Sequence, residues 1–472
     1  MDLPLTIRDA AAGLRDHSYT STELTTAMLA KSKELNPTLG AFIAFTEEGA
    51  LKAAADADAN FASGVDKSPL QGIPLAVKDI IATADAPTTA NSLVLAPEWG
   101  DGIDAAVVEK LRAAGAAITG KLVLNEFATG QPDPAKPFPM PQNPWDLPRS
   151  ASGSSSGTGI AVSAGMVLGG LGTDTGGSTR GPSSFNGISG IKQTFGRVSK
   201  YGCVPLGYSL DHINPMARSA YDCALILQVI AGYDPRDPTT IDVPVPDYIA
   251  ALTGSVAGVR IGIPTTYFFD APELDAEVKA SVMAAIETLK AAGATVVDVP
   301  IPYLAEAKDA NTIIMAGESG AYHRPDVGTK FDDYGRFTVQ SVTRGNLYSA
   351  SDYVQAQRFR SYFKKAVAAA MAPIDVLITP TSTTTATLRE EMMADPNRQL
   401  TARSFTGVWN LTGLPAMAIP TGMSSAALPM PMSMQIIGKP FAEEMVLNVA
   451  DAYQRMTAHH LNVPPIAAAV AV

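Results

Sequence analysis

The chain alternates short apolar runs with longer stretches in which apolar side chains recur at helical spacing. Helices are predicted over Thr6–His17, Ser21–Leu35, Ala50–Phe61, Ala105–Ala114, Ala220–Ala231, Asp275–Ala292, Ser351–Met371 and Glu443–Met456. The second carries a capping-box spacing, Thr20 to Glu23, and is expected to stop before Asn36-Pro37. Strands are predicted at Gly72–Asp79, which ends in charge, and at Ala117–Val123, which carries Lys121. Further strands are predicted at Val259–Pro264, Thr295–Pro300, Ile374–Pro380, Ala416–Pro420 and Met432–Ile437, with Gly190–Val198 and Tyr201–Val204 extended. This alternation of strands and helices points to an α/β sheet covered on both faces. Gln131–Leu147 holds six prolines and is predicted to be an irregular loop. A second proline-rich connection runs from Asp234 to Pro246, and the tail from Pro464 is small and apolar.

One segment breaks the alternation. Ala151–Pro182 is dominated by Gly, Ser and Thr, with two dense turns, Gly153-Ser-Ser-Ser-Gly157 and Gly172-Thr-Asp-Thr-Gly-Gly-Ser178. Between them, Ile160 to Leu171 carries no charge. The interleaved Ile160, Val162, Met166, Val167, Leu168 and Leu171 speak against a solvated linker. The Gly-Lys-Ser/Thr ending of a phosphate-binding loop is absent. Glycine at this density lets backbone N–H groups turn inward on a ligand, and the serines are candidate nucleophiles.

The 472 residues allow two or three domains or one large α/β unit, and 46% hydrophobic residues are ample for a core. With 35 Lys and Arg against 46 Asp and Glu, the net charge is −11, which argues against a nucleic-acid surface. Two cysteines, Cys203 and Cys223, make no disulfide framework and no zinc motif, so no metal or cofactor is expected. No run of 18 apolar residues occurs and the start lacks a signal-peptide core, so a cytoplasmic, non-membrane protein is expected.

Two serine chemistries compete. Gly153-Ser-Ser155-Ser-Gly157 satisfies GxSxG, which makes Ser155 the nucleophile of an α/β-hydrolase-type esterase. None of His17, His212, His323, His459 or His460 stands in a context that marks it as that serine's base. In Asp174-Thr-Gly-Gly-Ser178, consecutive N–H groups precede a serine, as an oxyanion hole requires. With no histidine placed to help, a lysine made neutral by burial is the next candidate base. Lys78 ends the apolar run Ile73–Val77, where a lysine more often snorkels to solvent than serves as a base.

Together these residues resemble the amidase signature family. The resemblance rests on Gly72-Ile-Pro-Leu-Ala-Val-Lys-Asp79, Ser152-Gly-Ser-Ser-Ser-Gly157 and Gly172-Thr-Asp-Thr-Gly-Gly-Ser-Thr-Arg180. It continues through Gly190-Ile-Lys-Gln-Thr-Phe-Gly-Arg197, Asp375-Val-Leu-Ile-Thr-Pro-Thr381, Asn410-Leu-Thr-Gly-Leu-Pro415 and Gln435-Ile-Ile-Gly438, roughly residues 20 to 460. It implies one large α/β domain, a twisted mixed β-sheet with helices on both faces. Its parts are then an N-terminal helical segment (1–65), the signature domain (66–462) and a flexible tail (463–472). It also implies a Ser–cis-Ser–Lys triad of Ser178, Ser154 and Lys78, with the oxyanion hole at Thr175, Gly176 and Gly177. Asp174 and Arg180 are then framework. Ser156, Thr179 and Gly181 depart from the family pattern without touching the triad positions.

The motifs are also similar to those of the glutaminase component of the tRNA-dependent amidotransferase, its A chain, which releases ammonia from glutamine. Asp146-Leu-Pro-Arg149 and Gly196-Arg-Val-Ser-Lys-Tyr-Gly202 are shared. The resemblance implies an Arg and an Asp for the glutamine carboxylate and amine. Arg360 matches the first, but Arg403 stands at the position of the second. Two cations suit a zwitterion poorly. Met140, Phe138 and Trp409 point instead to a neutral or aryl group, and Phe127, Thr129 and Gln131 are candidate pocket residues. The expectation is therefore an amidase for neutral, even aryl, amides, with esters and carbamates (urethanes) as further substrates. It is expected to act as a monomer or homodimer on small molecules, without nucleic acid. The amidotransferase component is the alternative.

Overall fold

A computed structural model describes residues 2–394 and 403–469. They form one domain around an 11-stranded sheet in the order β1-β3-β2-β4-β6-β5-β10-β11-β9-β7-β8. The strands are β1 (Phe42–Phe45), β2 (Pro74–Lys78), β3 (Ala117–Leu122), β4 (Gly169–Thr173), β5 (Ser189–Lys192), β6 (Ile213–Ala217), β7 (Arg260–Ile263), β8 (Thr295–Asp298), β9 (Val376–Pro380), β10 (Ala416–Met423) and β11 (Pro431–Gly438). β3, β2 and β4 run parallel to one another, as do β8, β7 and β9, and the pairs between these groups are antiparallel. The sheet is therefore mixed, as expected.

Every residue of β2 to β6, of β9 and of β11 is buried. Continuous burial means that both faces are covered, and β4 shows how. A Cβ on Gly169 would lie 2.9 Å from Ile226 of the helix Ala220–Ile230. A Cβ on the next residue, Gly170, would lie 3.1 Å from Thr158 of the helix Ser156–Ser163. Successive strand residues face opposite ways, so the two helices pack tightly on opposite faces of a strand whose first two residues carry no side chain.

The capping box of the second helix is present: Thr20 accepts from the Glu23 N–H while Glu23 accepts from the Thr20 N–H. That helix runs through Asn36-Pro37 to Leu39, not stopping before them, and ends on left-handed Gly40. The Asn36 side chain bonds both backbone groups of Phe42, which fixes the exit into β1. Tyr201–Val204 contributes one isolated bridge, Ile81 to Cys203, rather than a strand. Of the tail expected to be flexible, Pro465–Ala468 is a short helix with Ala467 buried, and residues 470–472 lie outside the described residues. No helix among the described residues is long and apolar enough to cross a membrane.

Candidate active site

The parallel strands β2 and β4 bring their C-terminal ends together, and the site lies there, as crevices in open α/β sheets do. Lys78 is the last residue of β2 and has no solvent exposure. Its Nζ lies 2.7 Å from Ser154 Oγ, 3.0 Å from Ser155 Oγ and 2.7 Å from Thr173 Oγ1, the last at the end of β4. These partners are all hydroxyls. Burial lowers the Lys78 pKa to about 7, against a smaller upward pull from Cys203, Asp174 and Asp211. The Gly153–Ser154 peptide is cis.

The turn after β4 is fixed from behind by Asp174, which is fully buried. Its carboxylate pairs with Arg180 at 3.0 Å and accepts from the Gly177 N–H at 2.8 Å and from Asn410 Nδ2 at 2.8 Å. Burial alone would raise this carboxyl; Arg180 outweighs it and holds it well below the usual range. Arg180 in turn reaches Gln435, Asn410 and the Thr406 carbonyl, which ties the turn to β11 and to the helix Gly407–Thr412. Gly177 has φ +129°, and a Cβ there would collide with the Thr406 hydroxyl. Only glycine fits both the backbone conformation and that approach. Because its N–H is held by Asp174, Gly177 has none left for a substrate oxygen.

Ser154, Thr175, Gly176, Gly177 and Ser178 line one cavity of about 410 Å³. Much of the rest of its wall comes from three segments. The helix Leu304–Val327 gives Lys308, Asn311, Thr312 and Met315; Thr381–Thr383 follow β9; Arg403–Thr406 precede the helix Gly407–Thr412.

Of the candidate pocket residues, Thr129 lines this cavity, with its hydroxyl 2.6 Å from Ser341 Oγ. Phe127 does not: it is buried against His323, ring centroids 4.4 Å apart. Trp409 is fully buried and stacks on Phe268 at 5.8 Å. Both belong to the main hydrophobic core. Gln131 and Met140 line smaller neighbouring cavities, and Phe138 one of them. An aryl subsite built from these side chains is therefore absent from the wall of the Ser178 cavity. Arg360 also points elsewhere, donating to the Leu411 carbonyl and to both oxygens of Ser209.

Ser155 is fully buried and its hydroxyl donates to the Thr173 carbonyl, so the GxSxG reading has no exposed nucleophile. No histidine lines the cavity among the described residues. Nor, among them, is any group of three or more His, Cys, Asp or Glu placed to hold a metal ion. Sequence reasoning misses Thr173, Asn311 and Thr381. Thr173 lies inside the glycine-rich turn, where its hydroxyl is one of several. Asn311 lies on a helix that the apolar spacing does not predict.

A polar cavity walled by two glycine-serine turns, with a buried lysine among hydroxyls behind it, lies at the strand ends of an α/β sheet. The chain belongs to the Amidase family, whose model matches residues 23–447, and with it to the enzymes that act on C–N bonds. It is 39% identical to the A-chain component of the glutamyl-tRNA(Gln) amidotransferase of Chloroflexus aggregans, over 98% of this chain and 99% of that one. The solved structure of the same component from Thermotoga maritima matches with a TM-score of 0.83 and 30% identity, covering 99% of each chain. The peptide amidase of Stenotrophomonas maltophilia matches with a TM-score of 0.82 and 28% identity, covering 96% of this chain and 98% of that one. These relatives correct one expectation. Proteins this similar along their whole length are named as components of a tRNA-linked amidotransferase, which overturns a monomer or homodimer acting on small molecules without nucleic acid.

Proposed function

We propose that the chain cleaves an amide C–N bond through an acyl-enzyme on Ser178, and that it serves as the ammonia-releasing component of an amidotransferase. The observation that carries the chemistry is the buried Lys78 amine, held among three hydroxyls with its pKa near 7. Half-neutral at neutral pH, it accepts the Ser154 proton as Ser154 takes the proton of Ser178. The Ser178 oxygen attacks the carbonyl, and the N–H groups of Thr175 and Gly176 hold the oxyanion, Gly177 being engaged by Asp174. The proton returns through Ser154 to the leaving nitrogen, and water then clears the ester. Support for the amidotransferase role is the identity to such components across nearly all of both chains.

Arg403, at the position where the resemblance implies an Asp, favours a second reading: amide hydrolysis on a substrate other than glutamine. The same acyl-enzyme then extends to esters and carbamates. The test is ammonia release from glutamine by the full chain, alone and with partner chains recovered by affinity capture. Release that rises with partners and vanishes in Ser178→Ala supports the first reading. Hydrolysis of other amides without any of glutamine supports the second. Hydrolysis that survives Ser178→Ala overturns both.

A further inference from the structure

Asp174 holds the oxyanion turn at its Gly177 end. The Thr175 end is held by two residues with no part in the proton relay. β4 and β6 pair antiparallel with Thr173 opposite Ile213, and the ladder runs one residue further, the Asp174 N–H donating to the His212 carbonyl at 2.9 Å. Asp174-Thr175 and Asp211-His212 thus lie side by side. Asp211 takes the threonine side chain. The Thr175 hydroxyl donates to its carboxylate at 2.6 Å, and the N–H groups of Leu206 and Gly207 donate to the same carboxylate at 2.9 and 3.0 Å. A Cβ on Gly207 would lie 3.0 Å from the Thr175 methyl, so this loop packs directly on the threonine. Its Ser209 is anchored in turn, donating to Glu318 and accepting from Arg360.

His212 takes the peptide. It is buried, with its ring edge-to-face on Phe195, centroids 5.5 Å apart. Its Nδ1 lies 2.6 Å from the Leu210 carbonyl and 3.1 Å from the Asp174 carbonyl. Carbonyl oxygens only accept, so these partners assign the ring proton to Nδ1. Burial holds the His212 pKa well below its ordinary value, which keeps the ring neutral. Asn410 Nδ2 donates to the same Asp174 carbonyl at 3.1 Å. That carbonyl and the Thr175 N–H belong to one planar trans peptide and point opposite ways. Donors on the carbonyl therefore fix the direction of the Thr175 N–H, and Thr175 lines the Ser178 cavity.

We propose that Asp211 and His212 are positioning residues of the oxyanion hole. His212 aims the Thr175 N–H by holding the Asp174 carbonyl, and Asp211 pins the Thr175 side chain. Neither touches the substrate or takes a proton. The proposal rests on Ser178 being the nucleophile and Thr175 an oxyanion donor.

The test follows phosphonylation of the full chain by a fluorophosphonate from pH 5 to 9, where the phosphoryl oxygen takes the place of the oxyanion. Two pairs of variants exchange one neutral group for another, so the charge around Lys78 is unchanged. His212→Leu is expected to lower the plateau rate about 30-fold and Thr175→Val about tenfold, each with the pH midpoint still near 7. His212→Asn keeps an N–H donor where the ring Nδ1 stood, and Thr175→Ser keeps the hydroxyl. Both are expected to stay within about threefold of the parent. Circular dichroism checks folding, and if His212→Leu does not fold the Thr175 pair decides. Plateau rates within about twofold of the parent in both His212→Leu and Thr175→Val overturn the proposal. So do equal losses within each pair, or a midpoint moved away from 7, which would place the effect at Lys78. Labelling that survives Ser178→Ala overturns instead the reading on which the proposal rests.

Discussion

The titration of Lys78 offers the sharpest quantitative test. An ordinary lysine has its pKa near 10.4; burial brings Lys78 to about 7. At about 1.4 kcal/mol per pH unit, that fall amounts to about 5 kcal/mol of disfavoured charge. Two consequences follow from one number. For catalysis, the neutral amine is the competent form, so kcat/KM rises with pH and levels off above about 7. At pH 5 only about 1% of Lys78 is neutral, which sets a loss of about 100-fold from the plateau. For stability the sign is worked out separately. Between pH 7 and about 10.4 the unfolded chain holds a proton on this lysine that the folded chain does not, so stability rises with pH in that window. Below pH 7 the full penalty is present. Lys78→Met removes it, and is expected to lose at least 1,000-fold in turnover while keeping or raising the unfolding free energy at pH 6. The hydroxyls of Ser154, Ser155 and Thr173, left without the amine, return about 1–3 kcal/mol of that gain. The assays are initial-rate amide hydrolysis from pH 5 to 9 and urea unfolding at pH 6 and 9. A rate that climbs without levelling up to pH 9, or one flat from pH 5 to 9, refutes a half-neutral Lys78 at pH 7.

Gly177→Ala meets both a positive φ of 129° and a Thr406 hydroxyl in the path of the new Cβ; a loss of about 1–3 kcal/mol in urea unfolding and at least 100-fold in rate is expected. Asp174→Asn leaves Arg180 buried without its charge partner, and unfolding is expected at about 3–5 kcal/mol lower free energy; a change below 1 kcal/mol contradicts the framework role. Ser155→Ala removes one of three hydroxyls around Lys78, so turnover is expected to fall about tenfold, far less than in Ser178→Ala; equal losses in the two variants contradict the assignment.

The parts of the fold that are legible in the sequence are those where one residue pattern serves one environment. Glu443–Met456 has two acids in its first turn, Arg455 in its last and an apolar face, and its predicted and observed bounds coincide. The buried strands β2, β3, β9, β10 and β11 read as apolar runs because both faces are covered. The helix Ser156–Ser163 is invisible in the sequence because all eight residues are buried, which erases any polar face. The helix Leu304–Val327 contains Gly317, Gly320 and Pro325 and mixes small with charged residues, so its period is weak. It nevertheless supplies a wall of the cavity. In the site, glycine density leads to the turn Asp174–Ser178, whereas Ser154 and Lys78 as its partners come only from the family resemblance. Side-chain direction is not legible: Phe127 and Trp409 are near in sequence to site residues but point into the core, and Arg360 bonds to backbone behind the cavity.

The most direct measurement is peptide mapping by mass spectrometry of the full chain after labelling with a fluorophosphonate serine probe at pH 8. The adduct is expected on Ser178, at one equivalent per chain, and absent from both Ser178→Ala and Lys78→Met. An adduct on Ser154 or Ser155, or labelling of Ser178 undiminished in Lys78→Met, contradicts a Ser178 nucleophile activated by Lys78.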